Sequence, residues 1–346
     1  MSSLSINLIH GFKTALAAVL AYYITTILSL DFGYWAVISA VIVMQVYVAD
    51  SVEMCFYRFS GTIIGAALGV VVLLIIPKTA FFTGIALFVT VGICSFLTRF
   101  NTRYRMAGIT AVIVVMTGLS VQDVYIFGLY RVIEICIGIL CAFLVSVLVL
   151  PKRKVDMLSN ALERQAKACA ERCLILVDAF IARQQRVAEA PVAELVKDVW
   201  GNYELLQKAS RNESLIYSKK FNEKFPLKVA VINRSVEHLR NMVRALNALD
   251  DDGYDIIMSG ELKKLAETSG RALVLFINNK YPGLKDDLEQ TISELDTRLV
   301  SIRKEGSIRR FDSRKLVQVF SFYSSLLYFA DDILSAIKEA SQPPSR

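Results

Sequence analysis

Histidine is almost absent from this 346-residue sequence, which contains only His10 and His238. General-base catalysis and zinc binding depend largely on histidine. The sequence also has no glycine-rich phosphate-binding loop, no GxSxG motif of serine hydrolases and no HExxH motif of zinc proteases. We therefore expect a protein that is not an enzyme, with no cofactor and no metal site. An ATP-driven pump is disfavoured because the sequence has no glycine-rich phosphate-binding loop.

The six cysteines form no CxxC pair, and four of them lie in or beside apolar segments. This distribution predicts small buried side chains in a reducing compartment, not a disulfide framework. A basic cluster with interleaved aromatic residues is also missing, so we expect no nucleic acid partner.

Hydrophobic residues make up 54% of the chain and charged residues 21%, which indicates two unlike parts. Six apolar runs fall within residues 1–151, and a helix needs about 20 such residues to cross a bilayer. The sequence predicts an all-α protein with a six-helix transmembrane domain (1–151), a cytoplasmic α-helical bundle (152–340) and a disordered tail (341–346). The apolar runs are Leu8–Leu30, Phe32–Val48, Gly61–Ile76, Ala80–Leu97, Met106–Leu119 and Ile126–Leu150.

Basic residues cluster at alternate ends of these runs, which predicts that both termini are cytoplasmic. The third and fifth runs are short, so their flanks, including Arg58, are expected at the membrane surface. Arg99, Arg103 and Arg105 are expected at the cytoplasmic mouth, mainly as topology signals and secondarily as groups that attract anions. The basic residues on the cytoplasmic side are Lys13, Arg58, Arg99, Arg103, Arg105, Lys152, Arg153 and Lys154, against Lys78 outside.

The apolar half contains an internal repeat. Residues 36–44 (AVISAVIVM) resemble residues 108–116 (GITAVIVVM), and the pair Tyr57-Arg58 recurs as Tyr130-Arg131. A repeat of three spans must invert its second copy, an arrangement typical of transporters whose substrate path lies between the repeats. The alternative is chance similarity between apolar segments.

Beyond residue 154 the apolar residues follow helical spacing, first over 155–180 and last over 316–337. This pattern predicts a helical bundle whose first helix continues from the sixth span.

The third span places Gly61, Gly65 and Gly69 on one helix face, which would let another helix or a permeating molecule approach the backbone. Arg131 and Glu134 lie inside the sixth span, where ionisable groups are costly and usually face a cavity. The alternative is that these two side chains neutralise each other as an i,i+3 pair. Lys13 could reach the inner interface or attract an anion. Trp35 could belong to an interfacial aromatic belt.

Three motifs resemble the fusaric acid resistance (FUSC-like) or aromatic acid exporter family, and plant aluminium-activated malate transporters are similar in plan. The motifs are the basic residue of the first span, the W-A-V-I stretch at 35–38, and R-x-x-G-T-x-x-G-x-x-x-G at 58–69. The resemblance covers the membrane half in its motifs and the other half in architecture. It implies export of small organic, often aromatic, carboxylates. The positions that it carries over are Lys13, Trp35, Arg58, Gly61, Thr62 and Gly65.

Larger exporters of this family contain two six-span units, so the single unit here predicts a homodimer or a higher homo-oligomer. We expect a multi-pass protein of the bacterial inner membrane that exports an organic anion across the lipid bilayer. A gated anion channel like the plant proteins and a membrane-anchored scaffold are the alternatives. The substrate-path candidates are Lys13, Trp35, Arg58, Gly61, Thr62, Gly65, Arg131 and Glu134.

Overall fold

A computed structural model describes most of the chain, and every regular element in the described part is helical. The expected all-α class is therefore confirmed for these residues. The chain divides into an N-terminal unit (Met1–Lys154 with Arg211–Ile216) and a C-terminal unit (Val155–Ser210 with Tyr217–Arg346). The described residues are 3–77, 79–102, 104–118, 123–183, 186–213, 224–249, 258–280, 283–304 and 313–342. Arg103, Lys78 and residues 343–346 of the expected tail lie outside them.

The N-terminal unit contains helices α1 to α6. Four of them, α1, α3, α4 and α6, are long and apolar enough to cross a membrane, whereas α2 and α5 are shorter apolar helices of 10 and 15 residues. The bounds are α1 Ser3–Ile27, α2 Tyr34–Val43, α3 Val48–Ile75, α4 Ala80–Thr98, α5 Tyr104–Gly118 and α6 Val124–Leu148.

The second and third helices differ from the predicted runs. α2 ends at Val43, and α3 begins at Val48 instead of near Gly61. Two backbone N–H groups at this break find partners outside a regular helix. The N–H of Gln45 donates to Ser51 Oγ (3.0 Å), and that of Val48 donates to the Lys152 carbonyl (2.9 Å). These bonds stabilise a break inside an apolar run.

The expected continuation of the sixth span into the next helix is wrong. α6 ends at Leu148 and α7 begins at Lys154. Between them, Leu150 has a φ of 42°, in the left-handed region, and Pro151 follows. Left-handed backbone is unfavourable for a residue with a Cβ, and proline lacks the N–H that a helix interior needs, so the helix is interrupted here.

Glycines permit close helix contacts in the N-terminal unit. A Cβ on Gly61 would lie 2.6 Å from Met106 Cβ, and one on Gly65 would collide with the Ala107 carbonyl oxygen. A Cβ on Gly138 of α6 would likewise collide with the Ala36 carbonyl oxygen of α2. Helix α3 therefore packs on α5 as closely as α6 packs on α2.

The C-terminal unit contains helices α7 to α12 around one apolar core. Phe180 of α7 stacks on Phe322 of α12 with ring centroids 4.1 Å apart. Cys169 and Cys173 are buried in this core, where burial raises the pKa of the Cys169 thiol to about 12. The bounds are α7 Lys154–Ile181, α8 Ala190–Lys208, α9 Phe225–Asn247, α10 Ser259–Ile277, α11 Leu284–Lys304 and α12 Ser313–Ser341.

The π-helical turn Ala209–Glu213 ends in residues that belong to the N-terminal unit. Asn212 donates to the Ala49 carbonyl (3.0 Å), and Glu213 accepts from the Lys154 N–H (2.6 Å). Lys154 also pairs with Asp50 at 2.6 Å. The start of α3 is therefore fixed by contacts to residues more than 100 positions away.

Candidate functional site

Arg58 lies in the interior of α3, ten residues after the helix begins, and its side chain is fully buried. The expectation that it lies at a helix end is therefore wrong. Nε and Nη2 donate to Ser39 Oγ of α2 at 3.4 and 3.3 Å, and Nη1 is 3.8 Å from Met106 Sδ of α5. These acceptors are neutral. In the described ranges no carboxylate pairs with this guanidinium.

Arg131 and Glu134 form a salt bridge on α6, with Nη1 and Oε2 2.9 Å apart and both residues 1% exposed. The i,i+3 pair, which the sequence left as the alternative to a functional role, is therefore present. The pair leaves part of the guanidinium unused, since Arg131 Nε and Nη2 are buried without an acceptor among the described residues. Glu134 therefore pairs with only one of the three guanidinium nitrogens of Arg131.

Three aromatic rings surround the Arg131 guanidinium. Its Cζ lies 4.4 Å from the centre of Phe32, 4.7 Å from that of Phe127 and 5.5 Å from that of Trp35. Cations are attracted to aromatic faces at such distances. The rings stabilise the charge where water is excluded, and Trp35 is thereby placed beside Arg131.

Lys13 of α1 is a third buried cation, 2% exposed, and its Nζ donates to the Ser146 carbonyl of α6 at 3.3 Å. Thr62 is also buried, but its hydroxyl donates to the Arg58 carbonyl of its own helix (2.7 Å). Gly61 and Gly65 lie at the contact with α5. The described geometry thus uses these glycines for helix packing, and they bring α5 close to Arg58.

A first cavity of about 590 Å³ lies between α4, α5 and Trp35. Its walls are mostly apolar, and its polar groups include Tyr104 and Arg105 from the start of α5. Arg105 is exposed, as is Arg99 at the end of α4. Trp35 lines this cavity, and its ring is the one centred 5.5 Å from Arg131 Cζ.

A second cavity has a volume of about 510 Å³. Phe32, Phe127 and Glu134 line it together with Asp31 and Asp123. Of the three rings around Arg131, Trp35 therefore lines the first cavity, and Phe32 and Phe127 line the second.

Sequence reasoning missed Phe32, Phe127 and Ser39. Phe127 is four residues before Arg131 on one helix, so helical spacing could have identified it. Phe32 and Ser39 lie about 100 and 20 positions from the arginines that they contact, and no local pattern links them. No group of three His, Cys, Asp or Glu residues suited to a metal ion occurs in the part of the chain that the structure describes.

Comparison with known families gives one match, which covers nearly the whole chain. Residues 7–321 match the fusaric acid resistance protein family. The match extends well into the C-terminal unit, beyond the membrane half whose motifs carried the resemblance. Comparison with curated proteins gives no match. The expected family is thus confirmed, and the chain belongs to the fusaric acid resistance protein family of membrane transport proteins.

Proposed function

We propose that this protein exports small organic carboxylates, preferably aromatic ones, across the bacterial inner membrane. The observation that carries the proposal is the charge balance inside the N-terminal unit. Among the described residues of α1 to α6, the buried charged side chains are Lys13, Arg58, Arg131 and Glu134. These are three cations and one carboxylate. A charged side chain at the bilayer centre costs roughly 2.5–3.5 kcal/mol on insertion scales, so such an excess is expected where an anion supplies the missing charge.

The helix lengths support a transport path between two inverted repeats. α2 and α5 occupy corresponding positions in the two triplets, and they are the two short apolar helices. At 1.5 Å per residue, the ten residues of α2 cover about 15 Å, half of a hydrocarbon core of about 30 Å. In transporters built from inverted repeats, shortened segments in corresponding positions indicate the substrate site. Arg58 contacts residues of both α2 and α5.

The first cavity supports an aromatic carboxylate as the substrate. Trp35 and Tyr104 offer ring faces, and Arg105 offers a guanidinium that suits a carboxylate. The remaining walls are largely aliphatic. In this proposal both termini are cytoplasmic, so the substrate would enter past Arg105 and leave past Asp31 and Asp123.

The proposed test is transport by the purified protein in liposomes loaded with benzoate, malate or a cationic control such as choline. We expect benzoate flux to exceed malate flux, and no choline flux. Arg58→Gln should reduce benzoate flux at least tenfold, because a buried unpaired charge on the path is removed. Arg99→Gln is the matched control, since it removes an exposed charge, and it should retain more than half of the flux.

Absence of flux for every carboxylate would contradict the proposal. Flux that is equal in the Arg58→Gln and Arg99→Gln proteins would contradict the role of the buried cation. Current recordings from the protein in a lipid bilayer test the channel alternative. A gated anion channel would give unitary currents, and a carrier would not.

We also propose that the protein acts as a homodimer, which would supply the second six-helix unit that larger exporters contain within one chain. The mass of the detergent-solubilised protein, measured under native conditions, tests this point. A monomeric mass at concentrations that support transport would contradict it.

A further inference from the structure

A pair of lysines lies where α1 meets the end of α6. Lys13 is buried, and its Nζ donates to the Ser146 carbonyl at 3.3 Å, two residues before α6 ends at Leu148. Lys152 follows soon after that helix end, and its positive charge acts unfavourably on the charge of Lys13. Two ammonium groups are therefore held close together at the same end of the N-terminal unit.

Neither ammonium is neutralised by a carboxylate among the residues with assigned positions. Lys13 is accounted for in part, because a positive charge is favourable beside the last carbonyl groups of a helix. Lys152 is not, since its Nζ atom is enclosed by the protein and has no acceptor in the described chain. A buried ammonium without an acceptor is unfavourable, and a second cation beside it adds repulsion. A bound anion would relieve both.

Two further polar groups beside the lysines also lack a partner. The hydroxyl of Ser146, the residue whose carbonyl accepts from Lys13, is fully buried and makes no hydrogen bond to any described group. His10 lies three positions before Lys13 on α1, so the two residues are neighbours on the helix surface. The Nδ1 atom of His10 is enclosed and has no partner in the described ranges. Ammonium, hydroxyl and imidazole groups can all donate to an anion.

The lysine pair lies away from the proposed transport path. Along α6, Ser146 is about 22 Å from Arg131 at a rise of 1.5 Å per residue. In the described part of the unit, neither of the two cavities is lined by Lys13, Lys152 or Ser146. Helix α1 is also peripheral, because 17% of its apolar span is buried, against 50% in α6. These observations favour an anion that belongs to the surrounding lipid over the transported substrate.

Exposed apolar side chains flank the lysines. Phe12, next to Lys13, is 60% exposed, and Leu148 and Leu150, before Lys152, are 74% and 61% exposed. Side chains of this kind are covered by acyl chains when their helices lie in a bilayer. A lipid that covers them brings its headgroup close to the ammonium pair.

We propose that Lys13 and Lys152, with the Ser146 hydroxyl, bind the phosphate of an anionic phospholipid. Lysine binds phosphate as a point charge, and basic pockets between transmembrane helices on the cytoplasmic side bind acidic headgroups. The two lysines lie on that side in the proposed topology. The phosphate neutralises the ammonium pair and accepts a hydrogen bond from the hydroxyl.

The inference goes beyond the proposed function. It assigns Lys13 to a lipid, and the two buried arginines still exceed Glu134 by one positive charge. The Lys152 carbonyl accepts from the Val48 N–H at the start of α3 (2.9 Å). A headgroup at Lys152 therefore also stabilises the break between α2 and α3.

Lys152→Gln tests the site, because it removes a charge that makes no hydrogen bond to any described group. The melting temperature of the purified, delipidated protein in detergent is measured with phosphatidylglycerol, phosphatidylcholine or inorganic phosphate. A ligand that binds the folded protein raises this temperature as its concentration rises. For the parent we expect a shift of several degrees with phosphatidylglycerol, and less than half of that shift with either of the other two.

Lys152→Gln should lose most of the phosphatidylglycerol shift. Without lipid it should melt no lower than the parent, since it lacks an unpaired charge that repels Lys13. Arg99→Gln is the matched control, because it removes one exposed positive charge at the end of α4 and should keep the shift of the parent. In native mass spectrometry after detergent exchange, the parent and Arg99→Gln should retain one phosphatidylglycerol per chain, and Lys152→Gln should not.

Equal phosphatidylglycerol shifts in the parent and in Lys152→Gln would overturn the inference. A delipidated Lys152→Gln protein that melts well below the parent would show that the ammonium is structural, and would overturn it as well. A shift with inorganic phosphate as large as that with phosphatidylglycerol would assign the site to free phosphate and overturn the lipid as its ligand. If Lys152→Gln cannot be purified, the parent still decides: no preference for phosphatidylglycerol over phosphatidylcholine would contradict the site.

Discussion

The two units of this protein are stabilised in different ways. In the N-terminal unit, glycines bring helices into backbone contact, and the buried charges of α1 to α6 are few and incompletely paired. In the C-terminal unit, large apolar side chains fill one core, and most ion pairs between charged side chains are exposed. Among lipid tails the hydrophobic effect contributes little to the association of helices, so the helices associate through close van der Waals packing. In water, burial of apolar area dominates.

Charged side chains also differ between the two units: they are mostly exposed in the C-terminal unit and include buried arginines in the N-terminal unit. Exposed pairs such as Lys263–Asp178 keep the surface of the C-terminal unit solvated and contribute little to stability. Arg58 and Arg131 contribute to no surface and are expensive to bury. In the proposed function this cost is offset by the binding of an anion, which is the reason that the proposed transport path is built on them.

The largest effect is expected for Gly65→Val in α3. The new side chain would collide with the Ala107 carbonyl oxygen, and a backbone group cannot move aside as a side chain can. We expect nearly complete loss of the monodisperse peak in size-exclusion chromatography of the detergent extract. Gly84→Val on α4 is the matched control, because no described atom beyond its own stretch of helix lies within 4 Å of its Cβ position. Equal yields of the two variants would show that α3 and α5 are not packed through glycine.

Much of the helical pattern could be predicted from the sequence where one local signal was sufficient. The run Ala80–Leu97 became α4, Ala80–Thr98, because nothing interrupts its apolar composition. The break after Val43 could not be predicted, since it depends on hydrogen bonds to Ser51 and to the distant Lys152 carbonyl. Composition alone carries no information about such partners.

In the candidate site, too, some contacts could be predicted from the sequence and others could not. The Arg131–Glu134 pair was predictable because both residues lie on one helix, three positions apart. The position of Arg58 was not, because its burial follows from the early start of α3 and from contacts with Ser39 and Met106 on other helices. Phe32 was missed for the same reason: it joins the site through tertiary packing.

The next effect is expected in the core of the C-terminal unit. Phe322 is fully buried and stacks on Phe180, so Phe322→Ala removes a large apolar side chain and leaves a cavity. The expected loss is about 3–4 kcal/mol of unfolding free energy. Limited proteolysis of the full-length protein during a thermal ramp should show early cleavage within residues 155–342. Tyr328→Ala is the control, since that side chain is 58% exposed, and its cleavage profile should match the parent. Identical profiles for both variants would contradict a core packed by large side chains.

The smallest effect is expected for the exposed ion pairs, and Lys338→Gln tests it. Lys338 lies 2.6 Å from Glu289, and its hydrogen bond lowers the pKa of that carboxyl below its ordinary value of 4.5. A lowered folded-state pKa stabilises the protein above the unfolded pKa, and this stabilisation is lost as the pH falls through the folded value. Because both side chains are well exposed, solvent screens the pair. We expect no measurable change in the melting temperature of the Lys338→Gln protein at pH 7, and a slightly smaller loss of stability below pH 4.5 than in the parent. A large shift at neutral pH would show that surface charge in the C-terminal unit is structural, and would remove the contrast with Arg58 and Arg131.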